Sequence, residues 1–265
     1  MSIYEDTVIM IYSCVLAAVT GAVLGSFLNC AAWRIAHGES FSKGNSRCPH
    51  CEHSLGAADL VPVFSWLFLR GRCRYCGHRI SVHYPLTEAL FAVLTVLCLL
   101  KFDLSVLCLR NQIFLCCLYC LTLVDLESYI IPDGCLLISA AAWVAAIPFA
   151  WSEYGGWSGV LFSLLSAVAY GGGMFLCSLI MDHILKKDSL GGGDIKLFAV
   201  MGLYLGMLPS LFALLLACIL GLVFAVMNTK RNENSGGQIP FGPAIAAAIW
   251  IMLLYGSHLV EWYMG

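Results

Sequence analysis

The chain has 265 residues, 60% of them hydrophobic and only 11% charged, whereas an ordinary soluble domain is about a quarter charged. That composition excludes a soluble globular domain of ordinary make-up, and apolar runs long enough to span a bilayer recur along it. The net charge of −2 carries no signal for nucleic acid, so the expected surroundings are lipid and no nucleic-acid partner is expected.

The N-terminus carries Glu5 and Asp6 and no Lys or Arg before Arg34. A secretory signal starts basic, so a retained first span is expected from about Val8 to Trp33. Within it Gly21, Gly25 and Asn29 fall four residues apart, a small-and-polar stripe suited to close helix contact. The sequence then turns polar from Arg34 to His83. A second span starts at Tyr84-Pro85, with the proline in a tolerated first-turn position, and ends near Leu100. The third closes at Val124, just before Asp125. Asp125 to Asp133 reads as a loop, with Pro132-Asp133-Gly134 as turn and cap chemistry. The fourth span covers about Cys135 to Ala150, and Trp151 to Trp157 reads as an interfacial aromatic turn. The fifth runs from about Gly159 to Met181, the sixth from Ile195 to a break at Gly206-Met207-Leu208-Pro209, and the seventh from Ser210 to Met227. A polar loop, Asn228 to Gln238, leads to the last span, from Pro240 to near Val260.

Eight spans put both termini on one side. Twelve of the fourteen Lys and Arg residues fall on the other side; only Lys101 and Arg110 do not. By the positive-inside rule the polar stretch is cytoplasmic, the termini are outside, and Asp125 and Asp194 both lie on the cytoplasmic side.

Gly191-Gly-Gly-Asp194-Ile-Lys196 sets a carboxylate behind three glycines at the mouth of an apolar segment. An Asp costs about 2.5–3.5 kcal/mol at a bilayer centre, so its presence requires a reason. A glycine hinge with an N-capping Asp is the plain account. Asp194 to Leu208 is 15 residues, roughly 22 Å of helix against a hydrocarbon core of about 30 Å, which sinks Asp194 below the surface. Span three behaves alike if Arg110-Asn111-Gln112 marks its polar edge; otherwise Arg110 snorkels or faces the bundle and the helix is full length from Leu104. Either way the two carboxylates share a depth. Two buried carboxylates brought together share a proton, so one can activate water while the other serves as acid. Asp133 reads as a cap, Glu127 as solvated, and Asp182 and Asp188 as salt-bridged loop residues beside lysines. His183 and His258 read as interfacial.

Fourteen cysteines suggest a disulfide framework, but most are scattered through apolar segments, where Cys14, Cys98, Cys116, Cys117, Cys177 and Cys218 serve as small hydrophobes. Cys48-Pro-His-Cys51 and Cys73-Arg-Tyr-Cys76 differ: two CxxC pairs 21 residues apart read as two knuckles gripping one tetrahedral zinc. A cytoplasmic setting disfavours disulfides. His50, His53 or His78 can replace one sulfur, though four cysteines suffice. With four protein ligands the site is closed and structural, and metal binding supplies folding energy to a small module. The expected fold is an all-α polytopic membrane protein of about eight transmembrane helices. A small zinc-ribbon-like module lies between the first two: 1–33 first helix, 34–83 cytoplasmic zinc module, 84–265 membrane-embedded core.

These pieces together resemble the bacterial type IV prepilin peptidases. The resemblance rests on Gly25-Ser-Phe-Leu-Asn29 with Arg34, the two CxxC pairs, and Ser81-Val-His-Tyr84-Pro-Leu-Thr-Glu88. It continues through Asp125 with Ile131-Pro-Asp133, Gly191-Gly-Gly-Asp194-Ile-Lys196-Leu197, and Pro240-Phe-Gly-Pro243. His83 stands where the family usually has Arg, and Ala36 where Pro is common. The resemblance implies a GxGD-type intramembrane aspartic protease of the bacterial plasma membrane with Asp125 and Asp194 as its catalytic pair, and Gly191, Gly193 and Lys196 as supporting motif residues. It also implies type IV prepilins or pseudopilins as substrates, cut at the cytoplasmic face after a glycine that ends a short basic leader. Many members then methylate the new N-terminus with S-adenosylmethionine, an activity the resemblance places near the cysteine module, with Gly71 and Glu88 beside it. A peptidase without methyl transfer is the nearer alternative. A transporter with a regulatory zinc module and the aspartates as a proton relay is the more distant one, and the charged residues cluster at one face, not at the midplane.

Overall fold

The computed structural model describes residues 7–40, 46–186, 190–227 and 239–265. The expectations for Glu5, Asp6, Lys43, Lys187, Asp188 and the loop 228–238 with Lys230 and Arg231 lie outside the described residues. Long apolar runs have to satisfy their own backbone groups in lipid, which a helix does within one segment. The chain follows suit: α1 (Thr7–Ala36), a short α2 (Phe64–Phe68), α3 (His83–Phe102), α4 (Val106–Ser128), α5 (Asp133–Ala146), α6 (Gly156–Leu185), α7 (Gly192–Leu205), α8 (Met207–Met227) and α9 (Gly242–Met264). Among the described residues there is no strand, only isolated bridges at Arg47–Ser54 and Arg72–Arg79. Among the described residues six helices, α1, α3, α4, α6, α8 and α9, are long and apolar enough to cross a membrane. The remaining two apolar helices, α5 and α7, have 14 residues each. All eight stand where spans were expected.

Local chemistry sets the boundaries. α7 stops at Gly206, whose φ of +77° is readily adopted only without a Cβ. α8 starts at the next residue, with Pro209 in its first turn, where a missing N–H costs nothing. The break at Gly206 is thus a hinge between consecutive helices. Helix α4 is full length, and Arg110 within it is buried, its guanidinium donating from Nε (3.1 Å) and Nη2 (2.8 Å) to Asn111 Oδ1. Of the two accounts of span three, the inward-facing arginine holds.

The chain forms two compact units, residues 1–112 and 113–265. In the first, α1 packs on α3 through the expected stripe. A Cβ on Gly21 would lie 2.9 Å from Ala92 Cα, and one on Gly25 would lie 3.0 Å from Phe91 Cβ. Asn29 completes the stripe by donating from Nδ2 to Thr87 Oγ1 at 3.0 Å.

In the second unit α7 is the hub, touching α5, α6, α8 and α9. Leu197, Phe198 and Met201 are fully buried on it. Tyr204 stacks on Phe114 at 3.8 Å and donates its hydroxyl to the Ser139 carbonyl at 2.8 Å. Against α6 the contact is backbone to backbone: a Cβ on Gly202 would lie 2.7 Å from the Ser166 carbonyl and the Ala167 nitrogen. Small residues at such crossings replace the hydrophobic driving force that lipid does not supply. Gly202→Ala is therefore expected to lower thermal stability in detergent by about 1–3 kcal/mol, the usual range for overpacking. Gly172→Ala, whose added methyl meets nothing within 4 Å in the interior of α6, should not lower the melting temperature and is expected to raise it slightly.

Candidate active site and candidate metal centre

Four helix ends meet at one end of the second unit. Asp125 stands in the last turn of α4 and is buried, 5% exposed. Its Oδ2 accepts a hydrogen bond from the backbone N–H of Gly242, at 2.8 Å and 117 residues away. Gly242 is the first residue of α9, so its N–H is one of the orphan donors that every helix start leaves unpaired. A buried carboxylate and an orphan amide satisfy each other, with the positive end of the α9 dipole toward the charge. Only glycine fits, because a Cβ on residue 242 would lie 2.8 Å from the same oxygen.

Asp194 comes from the first turn of α7 and is half-buried. The expected N-capping role falls instead to Gly191, in extended conformation, whose carbonyl accepts from the Asp194 N–H at 3.0 Å. The Asp194 carboxylate folds back on that cap and accepts from the Gly191 backbone N–H. It enters the same end of the unit as Asp125, where Gly193 abuts Ile131 and the Phe198 ring lies 6.3 Å from that of Phe241, the neighbour of Gly242. The three glycines divide their tasks. Gly193 is closed against Ile131, whose Cβ would lie 2.7 Å from an added methyl. Gly192 faces open space, and a methyl on Gly191 would meet only the Asp194 carboxylate, at 3.0 Å.

The rival carboxylates are occupied elsewhere or exposed. Asp133 is not the cap of α5, which is Pro132, but its first residue, and it pairs with Lys196 Nζ at 2.7 Å. Both partners are more than half exposed, so the pair adds little energy, yet it ties the first turn of α7 to that of α5. Glu127 is exposed. Asp182 accepts from Ser178 one turn earlier on α6, at 3.3 Å. His183 is exposed, and exposed His258 faces Glu261 at 4.0 Å.

The cysteine pairs form two knuckles of one design. In the first, the Cys48 N–H donates to the His53 carbonyl at 3.0 Å and the Glu52 N–H to the Cys48 carbonyl at 2.8 Å; in the second, Cys73 to His78 is 2.8 Å and Gly77 to Cys73 is 3.0 Å. Glu52 (φ +57°) and Gly77 (φ +71°) hold the equivalent left-handed corner. The ligand atoms of Cys48, Cys51, Cys73 and Cys76 lie within 4.8 Å of one another, with Cys48 Sγ 4.0 Å from Cys76 Sγ. Tetrahedral thiolates at about 2.3 Å from zinc stand roughly 3.8 Å apart, so the donor set fits a metal of that kind. The histidines serve as packing: His50 stacks on His78 at 4.2 Å, and His53 lies against Tyr75 at 3.6 Å. Asp59 braces the second knuckle from Arg74 Nε (2.7 Å) and the Tyr75 hydroxyl (3.2 Å), and the Arg74 guanidinium holds its carboxyl below the usual carboxylate range.

Gly71 and Glu88 lie at the inner edge of this module. Gly71 turns with φ +66° directly over the Trp66 ring, 2.8 Å from where a Cβ would stand. Trp66 in turn donates from Nε1 to the Ile80 carbonyl at 3.1 Å. Glu88 is buried, and its Oε2 accepts from the Val63 N–H at 2.7 Å.

The family described as "Bacterial Peptidase A24 N-terminal domain" matches residues 19–102, and the one described as "Type IV leader peptidase family" matches residues 112–226. A "Prepilin leader peptidase/N-methyltransferase" of Bacillus subtilis (strain 168) is 32% identical over 93% of this chain and 96% of its own. A "Type 4 prepilin-like proteins leader peptide-processing enzyme" of Escherichia coli O78:H11 is 33% identical over 91% and 95%. An Aeromonas hydrophila relative with the first of these names is 35% identical over 83% and 74%. The chain belongs to the type IV leader peptidase family. No solved structure shows a significant match. Like its fold, its family marks it as a multi-pass membrane protein.

In this leader peptidase family member, residue-type reasoning missed Gly242 and Ile131, which enter the sequence reading only as parts of the Pro240–Pro243 and Ile131–Asp133 motifs. The signal for Gly242 was a glycine between Phe241 and Pro243 just ahead of an apolar run. Gly242→Ala should drive the Asp125 carboxylate off the α9 amide. We expect a loss of roughly 1–3 kcal/mol, the cost of a stranded buried donor, read as a lower melting temperature. Gly192→Ala, in open space, should melt like the parent protein.

Proposed function

We propose that the chain is a membrane-embedded aspartic endopeptidase that removes the leader of type IV prepilins or pseudopilins, with Asp125 and Asp194 as the catalytic pair. Membership of a peptidase family makes it an enzyme, and relatives named for prepilin leader processing support the substrate class. The observation that supports the residue assignment is that the end of α4 with Asp125 and the start of α7 with Asp194 lie at one end of the second unit, tied together through Gly242–Asp125, Ile131–Gly193 and Asp133–Lys196.

Two such carboxylates hold one proton between them. The ionised member takes a proton from water as the oxygen attacks the scissile carbonyl; the protonated member gives its proton to the carbonyl oxygen. The gem-diol then collapses, the amine leaves with a proton, and the C–N bond breaks. The Gly242 N–H fixes one oxygen of Asp125, which restrains that carboxyl in one orientation. The open face of Gly192 beside Asp194 offers clearance for an extended substrate strand. The Lys and Arg distribution supports a cytoplasmic position for the pair and the cysteine module, with both termini outside. In this reading the chain is organised as a first helix, 1–33, a cysteine module, 34–83, and a membrane-embedded core, 84–265.

The metal we assign to Cys48, Cys51, Cys73 and Cys76 is zinc, in a structural role. Four thiolates leave no open position for substrate or water. The relatives' names also support N-methylation of the new N-terminus, with S-adenosylmethionine as donor. Gly71 at the turn over Trp66 and Glu88 on α3 beside the module are the residues we associate with that activity.

Asp125→Asn and Asp194→Asn should each lower cleavage of a prepilin by purified full-length enzyme about 100-fold or more, the contribution of positioned acid and base groups. Retained turnover by either variant would sink the assignment. The rate should follow a bell-shaped pH profile, since neither the doubly ionised nor the doubly protonated pair works. Metal analysis should find one zinc per chain, lost in Cys73→Ser. Activity should decay slowly under chelation as the module loosens, whereas instant loss and recovery with zinc would argue for a catalytic metal. Intact mass of the processed pilin, with and without S-adenosylmethionine, decides methyl transfer by the presence or absence of one added methyl group.

A further inference from the structure

The segment that joins the two cysteine knuckles has a surface that the peptidase reading does not use. Helix α2 exposes Phe64 (60%), Leu67 (56%) and Phe68 (83%). A shallow cavity of about 300 Å³ lies between Phe64, Phe68 and Leu69, with Arg74 at its edge. Five residues of helix have no reason to form alone in water, and three of these five present apolar side chains to the outside.

The backbone shows where this tip sits. Val63 has φ +62° and ψ −51°, and the Phe64 N–H donates to the Pro62 carbonyl at 2.6 Å. This is a γ-turn in the rare positive-φ form, which a β-branched residue adopts only under constraint. The constraint is the Glu88 carboxylate, which holds the Val63 N–H at 2.7 Å. Glu88 lies five residues inside α3, which begins at His83, or about 7.5 Å along the axis. On the facing helix, Gly25 is opposite Glu88 and lies 11 residues before the end of α1 at Ala36, about 16 Å along its axis. The turn therefore stands beside the α1–α3 pair, not beyond its ends. At the same level along its axis α3 exposes Leu86 (66%) and Leu90 (51%) on its other face, so the apolar tip stands at a depth where the helix itself presents apolar side chains outward.

Charge indicates the kind of surface the tip meets. The stretch 34–83 carries seven Lys and Arg against three Asp and Glu. Arg70 and Arg72 follow α2 directly, and Arg79 is bridged to Arg72 through the backbone; all three are exposed. Apolar side chains ahead of a row of arginines match acyl chains beneath anionic headgroups. A basic peptide would meet like charge there.

We propose that residues 61–70 form a membrane-surface wedge, which seats Phe64, Leu67 and Phe68 among the acyl chains and engages anionic headgroups through Arg70, Arg72 and Arg79. Glu88 sets its depth by holding the γ-turn against α3. The wedge anchors the cysteine module flat on the bilayer in which α1 and α3 stand, and it does so whatever reaction the second unit performs.

The test is photo-crosslinking in the full-length protein, with p-benzoylphenylalanine in place of Phe68 and, as a control, in place of exposed Ser54 on the first knuckle. Each protein is reconstituted in nanodiscs of mixed phosphatidylglycerol and phosphatidylcholine, irradiated and weighed intact. An unchanged melting temperature establishes that each variant is folded. The wedge predicts an adduct of one phospholipid at position 68, about tenfold above position 54 and richer in phosphatidylglycerol than the mixture, as an interfacial segment with basic flanks requires. Lipid labelling no higher than at Ser54 would overturn it, as would equal yield from the two lipids. Adducts to a second copy of the chain or to an added prepilin, in place of lipid, would assign the surface to that partner instead.

Discussion

A carboxylate inside an apolar bundle needs a donor, and the start of a buried helix needs an acceptor. The bond from the Gly242 amide to Asp125 Oδ2 meets both needs at once. It joins the end of α4 to the start of α9 across 117 residues and leaves room for no side chain at position 242. Much of the second unit is arranged around it. The link between α4 and α5 leaves after Ser128, one turn beyond Asp125, and returns past Ile131, which closes one face of Gly193. The Asp133–Lys196 pair then fastens the first turn of α5 to that of α7, and α7 carries Asp194 toward Asp125.

Helix α7 owes its central place to its shortness. Its 14 residues make about 21 Å of helix, less than the hydrocarbon thickness, so both ends require cover from neighbours. Gly202 admits the backbone of α6, and the Tyr204 hydroxyl reaches the Ser139 carbonyl on α5. The Gly206 corner starts α8 at once. With the far end closed in this way, the glycine-capped near end remains as the place where a polar group can be approached.

The cysteine module solves a different problem. It has too little core to fold by burial alone, and its knuckles repeat one backbone pattern around four convergent sulfurs. Around that centre, stacked histidines and the Asp59–Arg74 brace supply the remaining contacts. The module does not hang free on its two linkers, because Glu88, projecting from α3, grips the Val63 amide.

Composition alone determined that the chain lives in lipid, and the placing of apolar runs determined eight helices, since a backbone in hydrocarbon has no partner but itself. The stripe of Gly21, Gly25 and Asn29 was legible for the same reason: close helix packing demands small residues at one spacing. The two CxxC pairs were legible because metal chemistry restricts ligand type and spacing tightly. Other features depended on contacts between residues far apart in the chain. Gly191 as the cap in place of Asp194, the pairing of Asp133 with Lys196, and Arg110 turned inward are all choices among partners that local sequence leaves open. So are the roles of Gly242 and Glu88. A backbone amide looks the same at every position, and only the folded bundle decides which carboxylate it meets.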